Sequence, residues 1–170
     1  MAHYAVSAHA TLRRSVACNP SLALDVVGRL ARDDDHVVRL LLAEHHQEAP
    51  ADLLLRVVLD GAGYSEGELT GRPHFPRAGL VRFAGSPHPA ERTLAVLDLR
   101  TPADVIDRLS HDEAWSVRAT AARDPRLPVA RLLALLEDAD GQVTFSAAAN
   151  PALPVEAMAR LVQSAEVMHA

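Results

Sequence analysis

The sequence predicts an all-α chain, an α-solenoid of about six two-helix repeats of 26 residues each, and three observations lead there. First, "RDPRLPVARLLALLEDADG" (Arg123 to Gly141) is echoed by "NPALPVEAMARLVQSAE" (Asn150 to Glu166), with prolines and leucines in matching places. Second, Pro50, Pro76, Pro102, Pro128 and Pro154 each stand 26 residues from the last, with Ala23 one residue off that period. Third, apolar residues recur four places after these anchors (Val27, Leu54, Leu80, Ile106, Leu132, Met158) and seven after (Leu30, Val57, Phe83, Leu109, Leu135, Leu161). That spacing places one apolar stripe along one face of a helix.

The repeats run over about 11–36, 37–63, 64–89, 90–115, 116–141 and 142–166, in a single repeat domain spanning 1–170. Each opens on a shorter segment rich in alanine, such as "SVRATAAR" (Ser116 to Arg123) and "QVTFSAAAN" (Gln142 to Asn150), whose small residues let neighbouring elements approach closely. An Asn-Pro or Asp-Pro pair ends three of these segments, because proline turns its predecessor away from the helical region. A second helix follows. In "TPAD", Thr101 is placed to cap it, Pro102 to occupy its first position, and Asp104 to lie near its positive end. Each repeat is thus predicted as a short helix, a proline turn and a longer helix. Helices of two turns are marginal alone, so their stripes require burial against the next repeat.

The third repeat is the least regular. Six of the eight glycines and three of the six aromatic residues fall between Asp60 and Gly85. Its short helix, around "SEGELTG", is predicted to fray or become a loop, since glycine costs about 1 kcal/mol against alanine in a helix. Such a break suits a binding loop or hinge, and degeneration of one repeat explains it equally well.

Composition narrows the function. No run approaches the roughly 18 to 20 apolar residues of a membrane span, and Met1 to Ala10 lacks the pattern of a signal peptide. Cys18, the only cysteine, precludes an internal disulfide or a multi-cysteine metal site, and it fits a reducing cytoplasm. A net charge of -5 argues against general nucleic-acid affinity, though a local basic stripe remains compatible with it. No cofactor or metal is predicted. The acids Asp33, Asp34, Asp35, Asp112, Glu113, Asp138 and Asp140 lack the calcium-loop pattern and read as loop and cap residues. His45, His46 and His74 near adjacent turns raise a shared zinc ion, but read as scattered surface histidines. No spacing assembles a catalytic set, so the chain is read as non-enzymatic.

The core "SVRATAARDPRLPVARLLALLED", of the form V-R-x-x-x-A-x-[ND]-P-x-L-P, resembles the leucine-rich repeat variant family over nearly the whole chain. That resemblance is most evident in Leu12 to Asp34 and Ser116 to Ser164. It implies a right-handed superhelix pairing an α-helix with a shorter, often 3-10, helix, and a binding scaffold with no particular reaction. The cysteine-ligated iron–sulfur module of some members is not implied, given Cys18 alone.

Two arginine columns carry what functional signal there is. Arg29, Arg56, Arg82, Arg108 and Arg160 stand six places after the anchors; Asp25, Asp52, Asp104 and Glu156 precede four of them by four residues. Such a ladder could track a phosphate backbone, but the acids favour helix ion pairs, leaving Arg82 without a partner. Arg13, Arg39, Arg92 and Arg118 lie on the short helices, either lining the inner surface or bonding carbonyls and acids of the neighbouring repeat's loop, the second being the preferred reading. The candidate partner-binding residues are therefore Arg13, Arg39, Tyr64, Phe75, Arg82, Arg92, Trp115 and Arg118. The preferred function is a protein–protein interaction scaffold. The alternative is a nucleic-acid-binding protein resembling HEAT-like DNA glycosylases, with an arginine-lined concave face. Homo-association through the end repeats is a third reading, since neither end shows a polar capping repeat and Met158, Leu161 and Val162 need cover.

Overall fold

The structure, a computed structural model, describes residues 4–61 and 66–159. Helices are the only regular elements among the described residues, and they fall into two compact units divided after Pro76. The first unit holds a 3-10 turn at Tyr4–Val6, then α1 (Ala10–Ala17), α2 (Leu24–Leu30), α3 (His36–His45), α4 (Ala51–Leu59) and α5 (Glu66–Thr70). Within it α1 packs on α3, and α3 on α4. The second unit holds a 3-10 turn at Val81–Phe83, then α6 (Pro89–Leu97), α7 (Ala103–Leu109), α8 (Trp115–Ala122), α9 (Val129–Leu135) and α10 (Gly141–Ala148), followed by a helical stretch at 155–159. There α8 packs on both α6 and α10, its neighbours one repeat away.

The periodic stripe is the core. Val27, Leu30, Leu54, Val57, Leu80, Ile106, Leu109, Leu132 and Leu135 are all buried, while Phe83 is half-buried and Met158 is exposed. Leu161 and Val162 lie outside the described residues. In the second unit the stripe meets Val117, Ala121, Val143 and Ala147 of the alanine-rich helices in one continuous cluster. Small residues on α8 and α10 thus let the larger ones of α7 and α9 fill the space between. Leu132 has no exposed surface. Leu132→Ala is expected to cost about 2–5 kcal/mol, read as an earlier midpoint in urea unfolding.

The anchors punctuate the helices differently from the sequence expectation. Pro102 is the N-cap of α7 rather than its first residue, with φ -61 and ψ 149, and its carbonyl accepts from the backbone N–H of Val105 and Ile106. Pro50 and Pro128 hold the same place before α4 and α9. An N-cap needs an extended ψ and a free carbonyl, both of which proline supplies. Thr101 does not cap at all: its buried hydroxyl donates to the carbonyl of Ala95 at 2.6 Å.

The post-proline helices are also not the longer members. α7 and α9 have 7 residues each, against 8 in α8 and α10. The reason is visible in the backbone. After α9, Leu136, Glu137 and Asp138 each donate three residues back, to Leu133, Ala134 and Leu135, and the same tightening carries the chain through Asp112 after α7 and Asp33 after α2. The α-helix gives way early to 3-10 geometry, and an aspartate is delivered at the end of each turn.

In the third repeat the predicted loss falls on the other element. The short helix survives as α5, of 5 residues, whereas the segment after Pro76 shrinks to the single 3-10 turn at Val81–Phe83. Gly79, at φ 75, turns the chain where a helix would require negative φ. Asp98 makes up for the missing helix start by accepting from the N–H of Leu80 at 2.7 Å and of Val81 at 3.3 Å.

Candidate interaction surface

The arginines of the short helices form a repeated clasp. Arg92 binds both carboxylate oxygens of Asp112, at 2.7 Å each, while its Nη1 donates to the carbonyl of Ser86. Arg118 binds both oxygens of Asp138, at 2.9 Å each, and donates to the carbonyls of Asp112 and Glu113. Arg13 does the same with Asp33 and the carbonyl of Ser7. Arg39 holds a single oxygen of Asp60 through Nη2 and donates to the carbonyls of Asp33 and Asp34. Each guanidinium therefore ties the loop before its own helix to the loop that closes its own repeat and leads into the next. The planar fork of arginine makes this double attachment possible.

The clasped aspartates work twice. Oδ1 of Asp33, Asp112 and Asp138 also accepts the backbone N–H two residues on, from Asp35, Ala114 and Asp140, at 2.9 Å in each case. Bonds from Arg13, Arg92 and Arg118 hold the three carboxyls below the usual carboxylate range, against the opposing effect of desolvation. Of the acids that could suggest calcium, Asp33, Asp35, Asp112, Asp138 and Asp140 are thus engaged by arginines or backbone N–H groups. Among the described residues no three His, Cys, Asp or Glu side chains converge as a metal site.

A second polar seam was not apparent in the sequence. Arg72 donates to the carbonyls of His46 and Glu44, 26 and 28 residues back. Asn150 donates to those of Asp124 and Ala122 at the same two offsets. Asp124 has no proton to donate, so it holds Arg126, which reaches the carbonyls of Asp98 and Val96 in its place. In the sequence Asn150 and Asp124 stand out only as residues before proline. His46 shares their register and is buried at 6% exposure, contrary to the expectation of surface histidines. Among the described residues both its ring nitrogens lack a partner. His45 and His74 lie at the surface, His74 at 3.5 Å from Glu48.

The other arginine column behaves unlike its prediction. Arg29, Arg56 and Arg108 are exposed, and among the described residues their ion pairs with Asp25, Asp52 and Asp104 do not form. Arg108 turns instead toward the carbonyl of Ala84, at 3.4 Å. Exposed pairs of this kind gain only a few tenths of a kcal/mol and lose side-chain freedom, so solvation competes. Arg82 lies over the ring of Phe83 at 4.6 Å and donates to the carbonyl of Gly79.

Of the remaining candidates, Phe75 is buried in the first unit and Tyr64 lies outside the described residues. Trp115 is 51% exposed at the first position of α8. Its loop is held from both sides, by Arg92 on Asp112 and by Arg118 on the carbonyls of Asp112 and Glu113, and Asp112 also bonds the N–H of Ala114. Leu99, likewise exposed, sits in a turn whose carbonyl accepts from Arg126. Among the described residues no helix is long and apolar enough to cross a membrane. Compared with family models, curated proteins and solved structures, the chain matches none.

Proposed function

We propose that the chain is a protein–protein interaction scaffold, a right-handed α-solenoid of leucine-rich-repeat-variant type acting in the cytoplasm without catalysis of its own. The observation that carries this reading is Trp115, half-exposed on a loop fixed by two guanidinium groups. A large aromatic whose backbone is already immobilised loses little freedom on binding, the property of an interface anchor. Leu99 extends the same logic to a second clasped turn.

Trp115→Ala tests it. Wild-type and variant baits are compared in nuclease-treated lysate from the native source. The expected result is a defined protein partner held by the wild type and weakened about 30-fold in the variant, at unchanged melting temperature. Equal capture by both baits removes Trp115, and this reading with it.

Of the two arginine columns that the sequence offers for a nucleic-acid role, the structure leaves only one exposed. Arg13, Arg39, Arg92 and Arg118 are engaged in clasps, whereas Arg29, Arg56 and Arg108 are exposed and, among the described residues, pair with no carboxylate. If those three serve a phosphate backbone, binding to duplex DNA falls steeply with salt; its absence at low salt retires that alternative.

A further inference from the structure

We infer that the turns before α7 and α9 form a docking surface for an acidic segment of another protein, one in which carboxylates flank an apolar side chain. The inference deepens the scaffold reading and rests on it, but through Leu99 rather than Trp115. Leu99 is 78% exposed, more than any other large apolar residue described. Proline holds its place in four other repeats, as Pro20, Pro73, Pro125 and Pro151. The leucine therefore departs from the repeat without joining the core. Beside it Pro102, Pro125, Pro128 and Val129 are exposed as well, so an apolar side chain meets more than a lone leucine.

The turn that presents Leu99 is held from several directions. Its own N–H donates to the carbonyl of Arg77, and Asp98 accepts the N–H of Arg100 at 2.9 Å. Arg126 of the neighbouring turn donates to the carbonyls of Asp98, Leu99 and Thr101. A side chain presented from so fixed a backbone loses little freedom when a partner covers it.

Charge decides what the partner carries. Asp98 and Asp124 are buried, Asp98 among backbone N–H groups and Asp124 on both sides of the Arg126 fork. Their charges are thus committed inside the turns. Arg100 and Arg123 are exposed and, among the described residues, pair with no carboxylate. The one exposed acid that follows closely, Asp104, lies in the first turn of α7, where the positive helix end offsets it; the first turn of α9 holds no acid. Two free guanidinium groups beside Leu99 are a local reversal in a chain of net charge -5, and they complement carboxylates. The apolar side chains between them favour a peptide over a phosphate backbone, which offers nothing to cover Leu99.

The test titrates the full chain into a fluorescein-labelled, end-capped peptide Glu-Glu-Leu-Glu-Glu at low salt and reads anisotropy. The peptide Gln-Gln-Leu-Gln-Gln and a labelled thymidine oligonucleotide run alongside. The acidic peptide is expected to bind saturably and to weaken as salt is added. Arg100→Gln and Arg123→Gln each weaken it about two- to fivefold, and Leu99→Ala about tenfold, at unchanged melting temperature. Arg32→Gln, at an exposed arginine of the first unit, leaves the affinity unchanged. An acidic peptide that does not saturate at near-millimolar chain overturns the proposal, as does equal binding of the glutamine peptide. An equal loss in Arg32→Gln overturns it by making the attraction general. Tighter binding of the oligonucleotide through Arg100 and Arg123 overturns it in favour of nucleic acid. Capture by the Trp115 baits does not depend on this peptide, so failure here and failure of the Trp115 anchor are told apart.

Discussion

Arg92→Ala is expected to lower the unfolding free energy by about 2–4 kcal/mol, from bonds to charged groups at about 1.5–3 kcal/mol and the penalty of stranding a carboxylate. Arg92 and Asp112 are each about nine-tenths buried as side chains, and their two parallel bonds of 2.7 Å leave water little access. Removing the guanidinium also frees the carbonyl of Ser86 and leaves Asp112 bonding only its own loop. Asp112→Ala strands Arg92 in turn. The double variant strands neither, so a double-mutant cycle should show coupling of about 1–3 kcal/mol in urea denaturation, and additive losses would mean the clasp is an incidental contact. Because Asp112 also orders the loop before Trp115, Arg92→Ala has a second expected effect. It weakens the binding proposed for Trp115 at temperatures where the variant is still folded.

The sequence was informative where a regular period meets a local rule. Leu54, Ile106 and Leu132 are buried because a spacing of four and seven from each anchor puts them on one helical face, which requires nothing beyond helix geometry. Pro102 marked the start of α7 to within one residue, yet its role as N-cap depended on its ψ, which proline leaves free. The two arginine columns were harder to separate, since both repeat. Arg29 has an acid one helical turn away and, among the described residues, does not pair with it; Arg118 has its acid 20 residues on and is clasped. The difference lies in the 3-10 turns that deliver Asp138, and those arise from backbone bonds after α9 that no side-chain pattern announces. His46 and Phe75 were misjudged for a related reason. Burial of a turn residue is set by the repeat packed over it, and at the register of His46 the other repeats carry Arg72, Asp98, Asp124 and Asn150, so composition gave no common signal.

Acid is expected to unfold the chain cooperatively, beginning as pH falls below about 4. Asp33, Asp112 and Asp138 are held below the usual range by their arginines. Asp98 reaches the same condition by another route. Its burial pushes the carboxyl upward, but backbone N–H groups of Arg100, Leu80, Val81 and Gly79 together outweigh that and hold it low. In the unfolded chain each carboxyl returns to about 3.9. Above that value both states are ionised and the stabilisation is complete; below it the unfolded chain takes up protons first, and stability drains away until the lower folded values are passed. Asp98→Asn isolates one contribution. The amide keeps an accepting oxygen but sets an NH2 among donors already aimed at a carboxylate, so the variant is less stable at neutral pH and its acid limb is shallower than that of the wild type. Urea midpoints measured from pH 7 downward read both effects. Parallel acid limbs in the two proteins would show that Asp98 binds its proton equally well in the folded and unfolded chain, and that the turn at Val81–Phe83 is held by something other than a charged carboxylate.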